Sequence, residues 1–333
     1  MATVKEIAKL ACVSTTTVSR VLTRDPTLSV TPATRLRIEQ IARELGYSAR
    51  RLHASSLPQY TFGLIKGYTD SARLSGTHFF SLTRAVESVL SARGHSKLVF
   101  PIENIPDQPL DAVIALGQYS PTQQTMLTRA CGHILFLYSS PDPLRFDSLC
   151  LDASNLASTA VTYLRQLGHR RIAYIGASDI IGGMRMNDLF FQEIRHALLR
   201  EDPQGDQWMY IGDYTPTSAY TLTDTLLRKH SPARRPTAIM YATDSLAVGG
   251  YRAVKECGLQ VGQDVSILSV DDMSTSSYVT PPLSTFHVDV DFIATTAVAM
   301  LTDRLNGKRT GTLSVQIPLR LVRRKSCQPY SAG

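Results

Sequence analysis

From Phe62 to Val270 the chain alternates short apolar runs with amphipathic stretches, and this rhythm limits the folds open to it. The short runs are Phe62–Ile65, Lys97–Phe100, Ala112–Leu116, Ile134–Tyr138, Ile172–Ile175, Ala238–Tyr241 and Val265–Val270. Between them Leu82–Arg93, Ala157–Leu167, Ala219–Arg228 and Ser245–Cys257 repeat apolar residues at helical spacing. Gly94, Gly168 and Gly258 follow three of these stretches, where helix stops are expected. Strands separated by helices run parallel, because each crossover carries the chain back before the next strand begins. The pattern therefore predicts doubly wound α/β units, which bind ligands outside the carboxyl ends of their strands.

The first sixty residues read differently. Val4, Ile7, Ala8 and Ala11 share one face of a helix, with Thr3 as its cap and Glu6 three residues on, completing a capping box. After a break at Ala11-Cys12-Val13, Ser14 starts a second helix whose Val18, Val21 and Leu22 face inward. Thr31-Pro32 opens a third, a cap followed by proline at the first helical position. It is expected to bury Leu36, Ile38, Ile41, Ala42 and Leu45 and to end at Gly46. Two short helices, a tight turn and a closing third helix form the helix-turn-helix plan. Thr15, Thr16, Ser19 and Arg20 then face outward, and an arginine can fork onto guanine O6 and N7. A three-helix bundle without a nucleic-acid role has the same pattern.

Charge separates the two parts. Of the net +7 on 333 residues, +5 falls within residues 1–60, which suits a polyanion at that end. No apolar run reaches the roughly 18 residues of a membrane span, and Met1–Leu10 is not a signal sequence. The five cysteines are scattered without a C-x-x-C pair, which fits a reducing cytoplasm rather than a disulfide framework or zinc site. Metalloprotease, serine-hydrolase and phosphate-loop motifs are absent; Gly307-Lys308-Arg309-Thr310 lacks the upstream glycine of a phosphate loop. Neither a cofactor nor a metal is expected, and catalysis is not. A secreted sugar-binding protein would share the body but would have no use for the basic head.

"TVKEIAKLACVSTTTVSRVL" and "VTPATRLRIEQIARELGY" resemble the headpiece of the LacI/GalR family of transcriptional repressors. "LGHRRIAYIG", "YATDSLAVGGYRAVKECGL", "VGQDVSILSVDD" and "PPLSTFHVD" resemble its effector domain, to about residue 326. The resemblance implies an all-α headpiece (1–47), a hinge or linker (48–60) and a two-lobed periplasmic-binding-protein-like body (61–333). One lobe would hold about 61–156 and 288–317, the other about 157–287 and 318–326. It implies a homodimer on pseudo-palindromic operator DNA, released by a small sugar, a galactoside or galactose, with no membrane partner. Thr15, Thr16 and Arg20 fall at the base-reading positions. Ser14, Thr17 and Ser19 are phosphate candidates, and Thr3 joins the DNA-facing set. Leu57 or Leu52 would be a minor-groove wedge, unless residues 48–60 are a plain flexible linker. Cys12 stands where the family has a turn glycine, and the loop at Arg24–Thr27 is about two residues longer.

Sugars are held by carboxylates and amides that bond adjacent hydroxyls, with aromatic rings against the apolar face. By resemblance Asp271 is the sugar carboxylate, although an Asp before a Ser/Thr-rich loop also caps turns. Thr243 stands where many relatives carry asparagine, and Asp244 beside it reads as the cap of the next helix. Tyr68 follows the first strand, Phe79 and Phe80 offer rings or belong to the core, and Tyr138 replaces an aspartate of some relatives. The family's sugar-clamping arginine corresponds either to Arg185, through a local shift, or to Asn187.

Overall fold

The computed structural model describes residues 3–22, 28–45, 58–67, 77–105 and 107–330. Leu52, Leu57, Tyr68 and the helix stop at Gly46 lie outside them. The chain divides into two compact units, residues 1–59 and 60–333.

The first unit holds α1 (Val4–Leu10), α2 (Thr15–Leu22) and α3 (Pro32–Glu44). Each start carries a side-chain cap. Glu6 donates its N–H to Thr3 Oγ1 at 3.3 Å while its carboxylate accepts from the Thr3 N–H at 2.7 Å. Ser14 Oγ accepts from Thr17 N–H at 3.0 Å, and Thr31 Oγ1 from Thr34 N–H at 3.2 Å. Ile7, Ala8, Ala11, Val18, Val21, Ile38 and Ala42 form the core. Leu36 and Leu45, expected inside, are 67% and 39% exposed. Leu36 is two residues before Ile38, roughly 200° around the helix, and Leu45 follows the last helical residue. Cys12 sits in the α1–α2 turn at φ 51°, a left-handed conformation that crowds a Cβ.

The second unit contains two sheets. The first, in the order β12-β5-β4-β3-β1-β2, is parallel throughout. Its strands are β1 (Thr61–Lys66), β2 (Ser96–Pro101), β3 (Ala112–Leu116), β4 (Ile134–Leu137), β5 (Asp147–Leu151) and β12 (Ser314–Ile317). The helices α4 (Thr77–Ala92), α5 (Pro121–Ala130) and α10 (Val290–Leu305) belong to this lobe. The second sheet comprises β6 (Ile172–Ile181), β7 (Met184–Asn187), β8 (Met209–Gly212), β9 (Ala238–Tyr241), β10 (Ser266–Asp271), β11 (Ser284–His287) and β13 (Arg320–Val322). Its lobe carries α6 (Ala153–Gln166), α7 (Phe191–Glu201), α8 (Pro216–Lys229) and α9 (Asp244–Glu256). The chain crosses between sheets after β5, after β11 and after β12, so the lobes are joined by three strands of backbone. Gly94, Gly168 and Gly258 end their helices at φ 78°, 89° and 71°.

One strand departs from expectation in a way that matters for the cleft. The apolar run Ile172–Ile175 ends at Gly176, yet β6 continues to Ile181 and turns through Gly182-Gly183 into antiparallel β7. A Cβ on Gly182 would overlap Ser120 of the other lobe, so this hairpin closes against the first lobe only because its turn is bare. The Gly307–Thr310 stretch is tied to the lobe through Arg309. Arg309 turns inward, forking onto buried Asp147 at 2.7 and 2.9 Å, and Leu313 N–H adds a third contact at 2.7 Å. Burial works against that carboxylate's charge, but the Arg309 contact holds it below its usual range. Among the described residues no helix is long and apolar enough to cross a membrane.

Relieving the turn gives a direct check on the first unit. Cys12→Gly should stabilise it by about 1 kcal/mol, since the Cβ cost of the left-handed backbone exceeds the entropy glycine loses on folding. Urea unfolding followed on the headpiece should show a higher midpoint; an unchanged or lower one contradicts the assignment of strain to Cys12.

Candidate functional site

The carboxyl ends of both sheets face one cleft. From the first lobe it receives Gly67 after β1, His78 and Phe79 from the start of α4, Gln118 after β3 and Tyr138 after β4. From the second it receives Asp179 and Ile181 of β6, Asn187 of β7 and Phe190 before α7. Tyr214, Thr243 and Asp271 complete that side, each at or just past the end of a strand.

Asp271 is a strongly perturbed group of the cleft. Burial raises its pKa well above the usual carboxylate range, and the nearby charge of Asp244 adds to this. Its backbone sits at φ 120° and that of Tyr138 at φ 72°, so two of the described non-glycine residues with positive φ lie on opposite walls of the cleft. His78 spans the gap. Its Nδ1 is 3.6 Å from Asp271 Oδ1, its Nε2 is 2.8 Å from the Tyr138 hydroxyl, and its ring stacks on Tyr138 at 5.5 Å. Burial pushes the imidazole down to about 4, so it is neutral at physiological pH. Gln118 Nε2 donates to the Asn187 carbonyl at 3.1 Å, a second contact from lobe to lobe.

Two further carboxylates are committed inside the second lobe. Asp188 accepts from the Tyr174 hydroxyl at 2.5 Å and from the N–H groups of Ala177 and Phe190 at 3.1 and 3.0 Å. Asp244 accepts from Thr285 Oγ1 at 2.7 Å, Ser276 Oγ at 2.5 Å, Met273 N–H at 2.8 Å and the Ser269 hydroxyl. The cap of α9 is therefore Thr243, whose Oγ1 accepts from Leu246 N–H at 3.2 Å, and not Asp244, whose carboxylate reaches the neighbouring strands instead.

Asp271, Thr243, Tyr138, Phe79 and Asn187 thus line one cleft. Arg185 does not. It lies nearer the β6–β7 turn, exposed, with Nε donating to Ser178 Oγ at 2.8 Å. Phe80 is 68% exposed on α4, one residue and about 100° round the helix from Phe79. His78, Gln118, Asp179, Asp188, Phe190 and Tyr214 were missed; only the β6–β7 hairpin and the meeting of two lobes bring them in. In the first unit Ser14, Thr15 and Thr16 are exposed at the start of α2, and Thr17, Ser19 and Arg20 are half-buried along it. Ser14 and Thr17 also bond each other through their hydroxyls at 2.8 Å.

Residues 3–49 match the bacterial regulatory proteins of the lacI family, and residues 161–327 match the periplasmic binding protein-like domain. The regulator GanR of Bacillus subtilis strain 168 is 30% identical over 334 residues, 98% of this chain and 99% of GanR. The chain belongs to the LacI family. GalR of Lacticaseibacillus casei is 29% identical, covering 98% of this chain and 99% of its own. The crystal structure of the lac repressor dimer bound to operator and the anti-inducer ONPF superposes with a TM-score of 0.68. It is 25% identical and covers 98% of this chain and 99% of its own. This LacI-family regulator is thus a helix-turn-helix DNA-binding domain followed by a two-lobed periplasmic-binding-protein-like domain.

The buried imidazole makes stability depend on pH with a defined sign. His78 has a pKa near 6.5 unfolded and about 4 folded, so the unfolded chain binds the extra proton first. Its contribution is complete above pH 6.5 and is lost as pH falls toward 4, by about 3 kcal/mol in all. His78→Phe removes this titration. The stability of wild type relative to His78→Phe should fall across that interval in denaturant titrations, and parallel pH profiles would show that the imidazole is not held neutral.

Proposed function

We propose that the protein is a sugar-responsive repressor of a sugar-utilisation operon, whose α2 reads operator DNA and whose cleft takes a small neutral sugar that releases it. The observation that carries this reading is the cleft's chemistry. A carboxylate at the end of β10, amides from Gln118 and Asn187, and the rings of Phe79, Tyr138 and Phe190 surround one space, which suits adjacent hydroxyls on a ring with an apolar face. No lysine or arginine lines the cleft among the described residues, which favours an uncharged ligand. Galactose and galactosides, which the resemblance to the LacI/GalR family implies, are the first probes.

Residues 1–47 form the DNA-reading head in this proposal, 48–60 the linker and 61–333 the effector-binding and dimerisation part. Thr15, Thr16 and Arg20 contact base edges, while Ser14, Thr17, Ser19 and Thr3 contact the backbone. One helix-turn-helix reads only a few base pairs, so a symmetric pair of chains on a pseudo-palindrome supplies the specificity. Tyr278, 85% exposed, and Val248, 45% exposed, offer apolar surface on the second lobe for that pairing. The protein works in the cytoplasm, where the operator is, and returns its sugar unchanged.

Two substitutions test the two sites. Arg20→Ala should relax discrimination at one base pair per half-site by about 1–3 kcal/mol, read as operator affinity across single-base variants. Equal losses on operator and random DNA would assign Arg20 to phosphate alone. Asp271→Ala should abolish the ratio between operator affinities measured without and with saturating galactose or lactose. A ratio equal to that of wild type would make Asp271 a structural residue.

A further inference from the structure

His78 is a polar group in the cleft that the sequence pattern did not single out. It stands at the start of α4 on the first lobe and faces Asp271 at the end of β10 on the second. The two side chains are 11% and 9% exposed. On its other side, Tyr138 bonds Nε2 at 2.8 Å and stacks on the ring at an interplanar angle of 20°, and Phe79 packs an edge at 5.8 Å. Tyr138, His78 and Asp271 therefore form a line that crosses the cleft from lobe to lobe.

The geometry of that line is specific. A neutral imidazole carries one N–H, so its two nitrogens cannot both donate. In the tautomer whose Nε2 accepts from the Tyr138 hydroxyl, the proton sits on Nδ1, the atom that faces Asp271. The Nδ1–Oδ1 gap of 3.6 Å is too long for a hydrogen bond. It is also too short for a ligand oxygen bonded to both atoms. A hydroxyl with bonds of about 2.8 Å and a near-tetrahedral angle would hold them about 4.6 Å apart.

We propose that His78 and Asp271 grip one sugar hydroxyl from opposite lobes, and that this hydroxyl spreads the two walls by about 1 Å. The proposal rests on the reading of the cleft as a sugar site. His78 Nδ1–H donates to the hydroxyl oxygen, the hydroxyl proton goes toward the Asp271 carboxyl, and Tyr138 fixes the tautomer. His78 is thus a specificity-determining residue. A sugar lacking that hydroxyl loses both bonds, and one carrying a phosphate there meets a carboxyl with no cation beside it among the described lining residues.

Calorimetric titration of the full-length protein with D-galactose, lactose and the 2-, 3-, 4- and 6-deoxygalactoses tests this. Wild type should bind the parent sugar and lose tenfold or more for one deoxy position. His78→Phe, which keeps a stacking ring but removes both nitrogens, should weaken the parent sugar roughly tenfold and narrow its advantage over that deoxy sugar to the part that Asp271 supplies. His78→Gln, which restores a donor, should recover part of the loss. Wild-type affinity in His78→Phe, or a uniform loss across the whole series, overturns the proposal and leaves the sugar site standing. No binding of any of these sugars to wild type overturns both. Should His78→Phe fail to fold, ¹⁵N spectra of the histidine ring in wild type decide: galactose should shift the Nδ1 resonance of His78, and an unmoved resonance refutes the contact.

Discussion

The carboxylate of Asp244 lies at the first turn of α9, 2% exposed, and four donors converge on it. Burial raises its pKa against the pull of those donors. Ser269 belongs to β10, Thr285 to β11, and Met273 and Ser276 to the loop between them. One side chain thereby ties the start of a helix to two adjacent strands and shapes the loop that leaves β10. Removing it would strand several buried donors, at about 1–3 kcal/mol for each left unsatisfied. Asp271 owes its position to this tie. It ends β10 at φ 120°, beside the N–H of Asp244, and Asp272 follows at φ 56°.

Asp272 connects the cleft to the crossings between lobes. Its Oδ1 accepts from Arg324 Nη2 at 2.6 Å, and its Oδ2 is 3.0 Å from His287 Nδ1. His287 is the last residue of β11 before the chain leaves for α10, and Arg324 follows β13, which has just returned from β12. The N–H of Val288 also bonds the Asp271 carbonyl at 3.4 Å. A residue that lines the cleft is therefore adjacent in sequence to one that bonds the chain at two of the three interlobe connections.

Local chemistry was readable in advance, and three-dimensional convergence was not. Thr3, Thr31 and the stops at Gly94, Gly168 and Gly258 are decided within a turn of helix, so their residue types announce them. The core strands from Phe62 to Val270 are legible because parallel strands buried on both faces are continuously apolar. Leu36 escaped because hydrophobicity alone does not give helical phase. β6 beyond Gly176 escaped because its second half pairs with β7 in a half-exposed hairpin, without an apolar run to mark it. The same hairpin sets where Arg185 and Asn187 stand. Ile180 pairs with Arg185 and Ser178 with Asn187, which carries Arg185 toward the turn and Asn187 toward the cleft. His78 is a lone histidine in sequence, and its meaning arises only when Tyr138 and Asp271 arrive from two other elements.

A cleft ligand and an operator that draw on one conformational equilibrium must weaken each other by the same factor. The direct measurement is the dissociation constant of the sugar for the full-length protein, with and without saturating operator DNA. It is compared with the operator constant measured with and without saturating sugar. The two ratios should be equal, each lying between about 5- and 150-fold, as expected for a coupling of about 1–3 kcal/mol. A sugar constant unchanged by operator would contradict the coupling of the two sites, however tightly each ligand binds.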